Sequence, residues 1–261
     1  MAEDNEGDRL VQRDRLVAIL PLGATEQHGP HLPLSTDWII AEAMAERAAN
    51  RAAVPTRVLP VERIGYSPEH LSWSETRSLS YAKAIERWIA IGARLAEGGI
   101  RRLVLLNAHG GNAPLMTIAA TELRVRHQML AVATSWTRHG DPSALVGEDE
   151  KLFGIHGGRI ETAVMLALRP DLVRMEKARH WISLQQEHVH GRELLRAYGP
   201  HAHGWAMEDL NREGVVGDAG EATAELGQRL IDDAVSGLAP LIEEVAAFDP
   251  PWFGTALTER D

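Results

Sequence analysis

Apolar positions along the chain recur in two alternating periods. Val17-Ala18-Ile19-Leu20, Leu103-Val104-Leu105-Leu106 and Leu130-Ala131-Val132-Ala133 are short, unbroken aliphatic runs. Runs of this length, closed by turn formers, read as strands buried on both faces of a parallel sheet. Between them the period lengthens to that of a helix. Residues 37–50 repeat Ile40, Ala43, Met44 and Arg47; residues 81–97 repeat Ile85, Trp88, Ile89, Gly92 and Leu95 before Gly98-Gly99 stops them. Leu115, Ile118, Ala119 and Leu123 mark a further helix, and residues 222–248 the last, where Pro240 should bend or interrupt the run. A weaker strand is expected at 57–61, with loops over 65–73 and 137–153. Strand and helix in alternation predict an α/β fold, a three-layer α/β/α arrangement around a mostly parallel sheet with right-handed connections.

Composition narrows this picture. A chain of 261 residues with 44% hydrophobic content can bury the core of one domain, placed at 13–250 between a polar, acidic lead over 1–12 and a tail over 251–261. A formal charge of −10, from 37 acidic and 27 basic residues, argues against nucleic acid and anionic membrane as partners and for a small-molecule substrate. The lead lacks the basic start and apolar centre of a signal peptide, and nowhere do eighteen apolar residues run together, so a cytoplasmic protein is expected. There are no cysteines, so a metal would have to be held by histidine and carboxylate.

Such ligands cluster at strand ends. Glu26 and His28 follow the first strand and, two apart on extended chain, point to one side while Gln27 faces away. Asp37 follows the Ser35-Thr36 start signal and sits in the first turn of a helix, facing back toward the strand end. Asn107-Ala108-His109-Gly110-Gly111-Asn112 closes the second run, and ligands of open α/β sheets collect outside the carboxyl ends of strands. Gly157-Gly158 permits close backbone approach, and Glu161 falls in the first turns of a following helix; because the glycines break the periodicity, His156 and Glu161 cannot be assigned to one face by spacing. The pairs His188/His190 and His201/His203 read as surface or local packing, because residues two apart on a helix do not face one way; His203-Gly204-Trp205 is a candidate for the mouth of the site.

Three stretches carry a resemblance: Leu22-Gly23-Ala24-Thr25-Glu26-Gln27-His28-Gly29 with Asp37, residues 107–112, and Gly154-Ile155-His156-Gly157-Gly158-Arg159-Ile160-Glu161-Thr162, with a weaker match at 214–218. Together they resemble the creatininase family, the creatinine amidohydrolases and their relatives. The resemblance implies a creatininase-like fold, a homohexamer, and two divalent ions per chain (Zn, Mn or Fe). Asp37 would bridge them, with Glu26 and His109 on one ion and His28 on the other. Glu161 is the candidate for completing the second ion; creatininases proper carry a glutamate where this chain has Gly111, so the last ligand must come from elsewhere or the position is left to water. Trp136 is the substrate-side residue implied by resemblance to an aromatic lid, and His70 is a second substrate-side candidate by its place in the 65–73 loop. Glu75-Thr76 replaces the Gly-Thr pair common in relatives, which leaves the substrate open.

The chemistry implied is hydrolysis of a C–N bond, other than a peptide bond, in a small or cyclic amide. Water shared by two cations loses a proton near neutral pH and attacks the carbonyl. His156 is the expected acid for the departing atom, with Glu161 as its rival. Formamide deformylation, keto-inositol ring cleavage and peptide trimming in cofactor maturation are alternatives within the resemblance. A non-catalytic metal or sugar-phosphate binding protein is the alternative outside it.

Overall fold

The computed structural model describes residues 15–188, 192–199 and 201–253, so the acidic lead, His190 and most of the tail lie outside the described residues. The first half is β1 (Val17–Leu22), α1 (Thr36–Arg51), β2 (Thr56–Val58), α2 (Tyr81–Glu97), β3 (Arg102–Asn107), α3 (Ala113–His127) and β4 (Leu130–Ser135). The strands are parallel in the order β2-β1-β3-β4. Successive side chains leave a strand on opposite faces. Val17 and Ile19 therefore join Val104 and Leu106 in one core, while Ala18, Leu20 and Leu22 join Leu103 and Leu105 in another.

Each face is covered by helices whose apolar stripe matches it. Ile39, Ile40 and Met44 of α1 pack in the first core; Trp88 of α2 and Leu123 of α3 pack in the second. Trp88 is a core residue, as its stripe predicts. In the second half come α4 (Pro142–Val146), α5 (Glu148–Phe153), α6 (Arg159–Leu168), β5 (His180–Trp181), α7 (Gln185–His188), α8 (Met207–Leu210), β6 (Gly217–Asp218) and α9 (Ala224–Ala247). α6 and α9 pack together and with α1 on the first face, through Val164, Ile231, Leu238 and Ile242. This is the three-layer α/β/α arrangement, with β5 and β6 adding a small antiparallel pair.

The path of the chain locates the site. It leaves β1 for β2 on one side, then crosses back to β3 on the other, so the direction of winding reverses between β1 and β3. The crevice of a doubly wound sheet opens at such a reversal, beyond the strand carboxyl ends. Leu22 pairs with Asn107 at that end, so the chain beyond β1, carrying Glu26 and His28, emerges beside the chain carrying His109.

Two expectations are corrected. Residues 137–153 are not a loop: Asp141 accepts a hydrogen bond from Ala144 N and Pro142 starts α4, while Glu148, Asp149 and Glu150 occupy the first turn of α5. Both arrangements favour helix starts. Pro240 does not interrupt the last helix. α9 continues through it to Ala247, with Leu238, Ala239 and Ile242 on either side buried against the core.

Glu150 ties these parts to the site. Although it ends an acidic run, it is buried, with Oε1 accepting from Arg159 N at 2.6 Å and Oε2 from Asp218 N at 2.9 Å. A Cβ at Gly154, Gly158 or Gly217 would come within 2.3, 2.5 and 2.6 Å of Oε1, so three glycines of two separate stretches make room for one carboxylate. That bond set fixes the start of α6 and hence Glu161. Among the described residues no helix is long and apolar enough to cross a membrane.

Candidate metal centre

Every ligand-type residue singled out near the two strand ends converges there. Asp37 lies in the first turn of α1 and is 1% exposed. Its two oxygens face different imidazoles: Oδ1 is 3.0 Å from His28 Nε2, and Oδ2 is 3.4 Å from His109 Nδ1. Glu26, fully buried, places Oε1 3.1 Å from His109 Nδ1, 3.4 Å from His70 Nε2 and 3.7 Å from His156 Nδ1. Glu161 Oε2 stands 3.8 Å from His28 Nε2. Four sets of three residues bring ligand atoms within 4.8 Å of one another: Glu26-His28-Asp37, His28-His156-Glu161, Glu26-Glu69-His109 and Glu26-His70-His156.

These residues fit a cation. Both oxygens of Glu26, His28 Nε2 and Asp37 Oδ2 are buried and have no partner in hydrogen-bond geometry. Unpartnered carboxylates in a dry site cost several kcal/mol each unless a charge offsets them, on the order of the penalty for burying a polar group unpaired. Mixed imidazole and carboxylate donors suit zinc, manganese or iron.

Comparison with known proteins agrees with this geometry. The family model for creatininase, described as creatinine amidohydrolase, matches residues 5–242. The chain belongs to the creatininase family. It is 31% identical over 232 residues to the mycofactocin precursor peptide peptidase of Mycolicibacterium smegmatis, covering 87% of this chain and 84% of that protein. To the creatinine amidohydrolase of Pseudomonas putida it is 29% identical over 250 residues, covering 87% and 89%. A manganese creatininase structure superposes with a TM-score of 0.72 at 26% identity, covering 95% of this chain and 98% of that one. The chain is thus a creatininase-family hydrolase.

In this creatininase-family chain, backbone carbonyls set the histidine tautomers. Carbonyls only accept, so His109 Nε2–H donates to Tyr66 O (2.9 Å), His28 Nδ1–H to Glu26 O (3.2 Å) and His156 Nε2–H to Gln27 O (2.8 Å). The other ring nitrogen of each is turned inward, and in the neutral ring it is bare, as metal-binding histidines require. Gln27, expected to face away, is instead buried and central. Its amide nitrogen donates to Gly214 O and His70 Nδ1, and its oxygen accepts from Gly29 N. The chain stops being extended after Leu22, so alternation no longer assigns sides. With Nδ1 accepting, His70 carries its proton on Nε2, facing Glu26.

Other expected residues are placed differently. Trp136, the implied lid, is 2% exposed and packed in the larger core, so no face of it is open to a substrate in this conformation. Glu75 is exposed, whereas Thr76 beside it is buried and its hydroxyl accepts from Gln27 N. His188, His201 and His203 are exposed, and Trp205 packs in a small cluster with Trp73, Ile155 and Val216. Two residues were missed. His31 is buried, with Nε2 bonding Gly157 O and Thr162 Oγ1, and stacks on Trp181. Glu69 belongs to the cluster itself.

Burial and charge act against each other here. Burial alone would lower His28, but Asp37 outweighs it and pushes the imidazole up to about 10; His109 is raised well above 6.5 against burial by Glu26 and Asp37. Burial would raise Glu26, yet His109 holds it at about 2. In the metal-free protein at pH 7, therefore, His28 and His109 are protonated. Loading with metal should release about two protons per chain, since ligation needs neutral imidazole. Calorimetry in two buffers of different ionisation enthalpy measures this, and zero release contradicts it. The His28 contribution to metal-free stability is complete below 6.5 and lost as pH rises through about 10; that of Glu26 is complete above 4.5 and lost as pH falls through about 2.

Proposed function

We propose that this chain is a binuclear metal-dependent amidohydrolase that cleaves a C–N bond, other than a peptide bond, in a small or cyclic amide. The observation that carries the reading is the span of Asp37, whose two oxygens address His28 and His109 separately. Glu26 and His109 hold one ion, His28 and Glu161 the other. When bound, the ions polarise the carbonyl and make water a nucleophile at neutral pH.

The chain's own groups do the rest. His70 presents Nε2–H inward and can donate to a substrate oxygen. His156 presents bare Nδ1, ready to take the proton of the attacking water and return it to the departing nitrogen. Glu161 is either a ligand of the second ion or the rival acid: in the metal-free protein burial pushes its carboxyl up to about 7, opposed by His28, and only a carboxyl not bound to metal would serve as a neutral acid. Glu161 and Glu69, with side chains 18% and 16% exposed, line the way in to residues that are nearly closed off, which suits a small substrate.

Peptide trimming is the second reading, supported by the 31% identity to the mycofactocin precursor peptidase. Metal analysis of the purified protein, followed by a panel of creatinine, lactams, formamides and short peptides, tests both. Two ions per chain and chelator-sensitive turnover of a non-peptide amide are expected. Turnover confined to peptides selects the second reading, and tight metal with no turnover overturns both in favour of a binding protein.

A further inference from the structure

Residue 111 has no side chain, and the structure shows why none fits. A Cβ there would lie 2.2 Å from Tyr66 O, 2.6 Å from His109 Nε2 and 2.8 Å from Glu69 Oε1. The first of these is backbone and cannot swing away. The space beside His109 is already taken by the 65–70 loop, which is fastened to the residues after β3. Tyr66 N donates to Asn112 Oδ1 at 3.0 Å, Tyr66 O accepts from His109 Nε2 at 2.9 Å, and Ser67 N donates to Ser78 Oγ at 2.9 Å. Pro68, Glu69 and His70 then form one tight turn, so the loop that delivers His70 to Glu26 also delivers a carboxylate to His109.

We propose that Glu69 is a metal ligand, adding a carboxylate to the ion held by Glu26 and His109. The inference rests on the binuclear reading above. Ligand atoms of Glu26, Glu69 and His109 lie within 4.8 Å of one another, and Glu69 Oε1 is 3.7 Å from His109 Nε2, the ring nitrogen that donates to Tyr66 O. Glu26 is fully buried, with neither oxygen in hydrogen-bond geometry, and its Oε1 faces the same imidazole at 3.1 Å.

The test is equilibrium dialysis of full-length wild type, Glu69→Gln and Glu69→Asp against Zn²⁺ and Mn²⁺, with the bound metal counted. Competition with a chelating dye gives each affinity, and the Mn²⁺ electron paramagnetic resonance spectrum reports whether two ions are coupled. Wild type should bind two ions. Glu69→Gln should lose ~100-fold or more in affinity for one of them, since loss of a mere outer-shell partner already costs ~10–100-fold, and its spectrum should become that of an isolated ion. Glu69→Asp should recover part of the loss, which a role in loop packing does not predict. Glu75→Gln, exposed in the same loop, should behave as wild type. Two ions bound with unchanged affinity in Glu69→Gln overturn the inference and leave the binuclear reading standing. Equal loss of both ions with an unchanged metal-free melting curve overturns the assignment to one ion. Fewer than two ions in wild type overturns the reading on which the inference rests.

Discussion

Asp37→Ala should bind neither ion and turn over no substrate. The carboxylate is 1% exposed and held in the first turn of α1, with Oδ1 toward His28 and Oδ2 toward His109. Truncation withdraws one ligand from each side at once, so the two losses are coupled rather than additive. A nucleophile whose pKa returns from about 7 toward 15.7 is in short supply at neutral pH, and turnover should fall by at least ~10⁴. The metal-free protein should weaken too. Removing one partner of a buried ion pair costs about 3–5 kcal/mol, much of it from the charge left behind, here on His28 and His109. Metal content and a melting curve of the stripped protein read both effects, and full occupancy in Asp37→Ala contradicts the bridging role.

What could be read from the chain follows from what a linear pattern encodes. The strands were legible because β1 and β3 are buried on both faces, so their aliphatic runs are unbroken. Asp37 was legible because a helix start signal precedes it. His109 was legible because the residues after it form a tight turn at a strand end. Gln27 was misplaced because two-residue alternation applies only while the chain stays extended, and beyond Leu22 it folds back: Glu26 N bonds Leu34 O and Arg77 N bonds Thr25 O. Glu150 was hidden because three consecutive acids look alike, and only the bond set around Arg159 and Asp218 distinguishes the buried one. Glu69 stands forty positions before His109 with no periodicity between them. The one signal was its place next to His70, passed over for the exposed Glu75. The absence of a carboxylate at residue 111 was visible, but which loop fills the space beside it is decided by packing between segments far apart in the chain.

His156→Ala should keep both ions yet lose turnover by ~10²–10⁴, the usual worth of a positioned acid or base. The argument begins with the hydrogen bond from Nε2 to Gln27 O, which fixes the proton on the outer nitrogen and leaves Nδ1 bare and 3.7 Å from Glu26. Burial, with His28 and His70 beside it at ring separations of 4.2 and 4.3 Å, holds this imidazole well below 6.5. A neutral ring cannot open the reaction as an acid; it must first gain a proton, and the attacking water is the one that has to lose it. In the proposed mechanism His156 would act as base and then as acid, and His156→Ala should lower kcat with little change in KM. Glu161→Gln separates the rival. As a ligand it should depress the affinity of one ion; as the proton donor it should leave both ions bound and lower turnover. An unchanged rate in His156→Ala transfers the proton to Glu161. Loss of an ion in the same variant instead makes His156 a ligand, alongside His28 and Glu161 with which its nitrogen already lies in range.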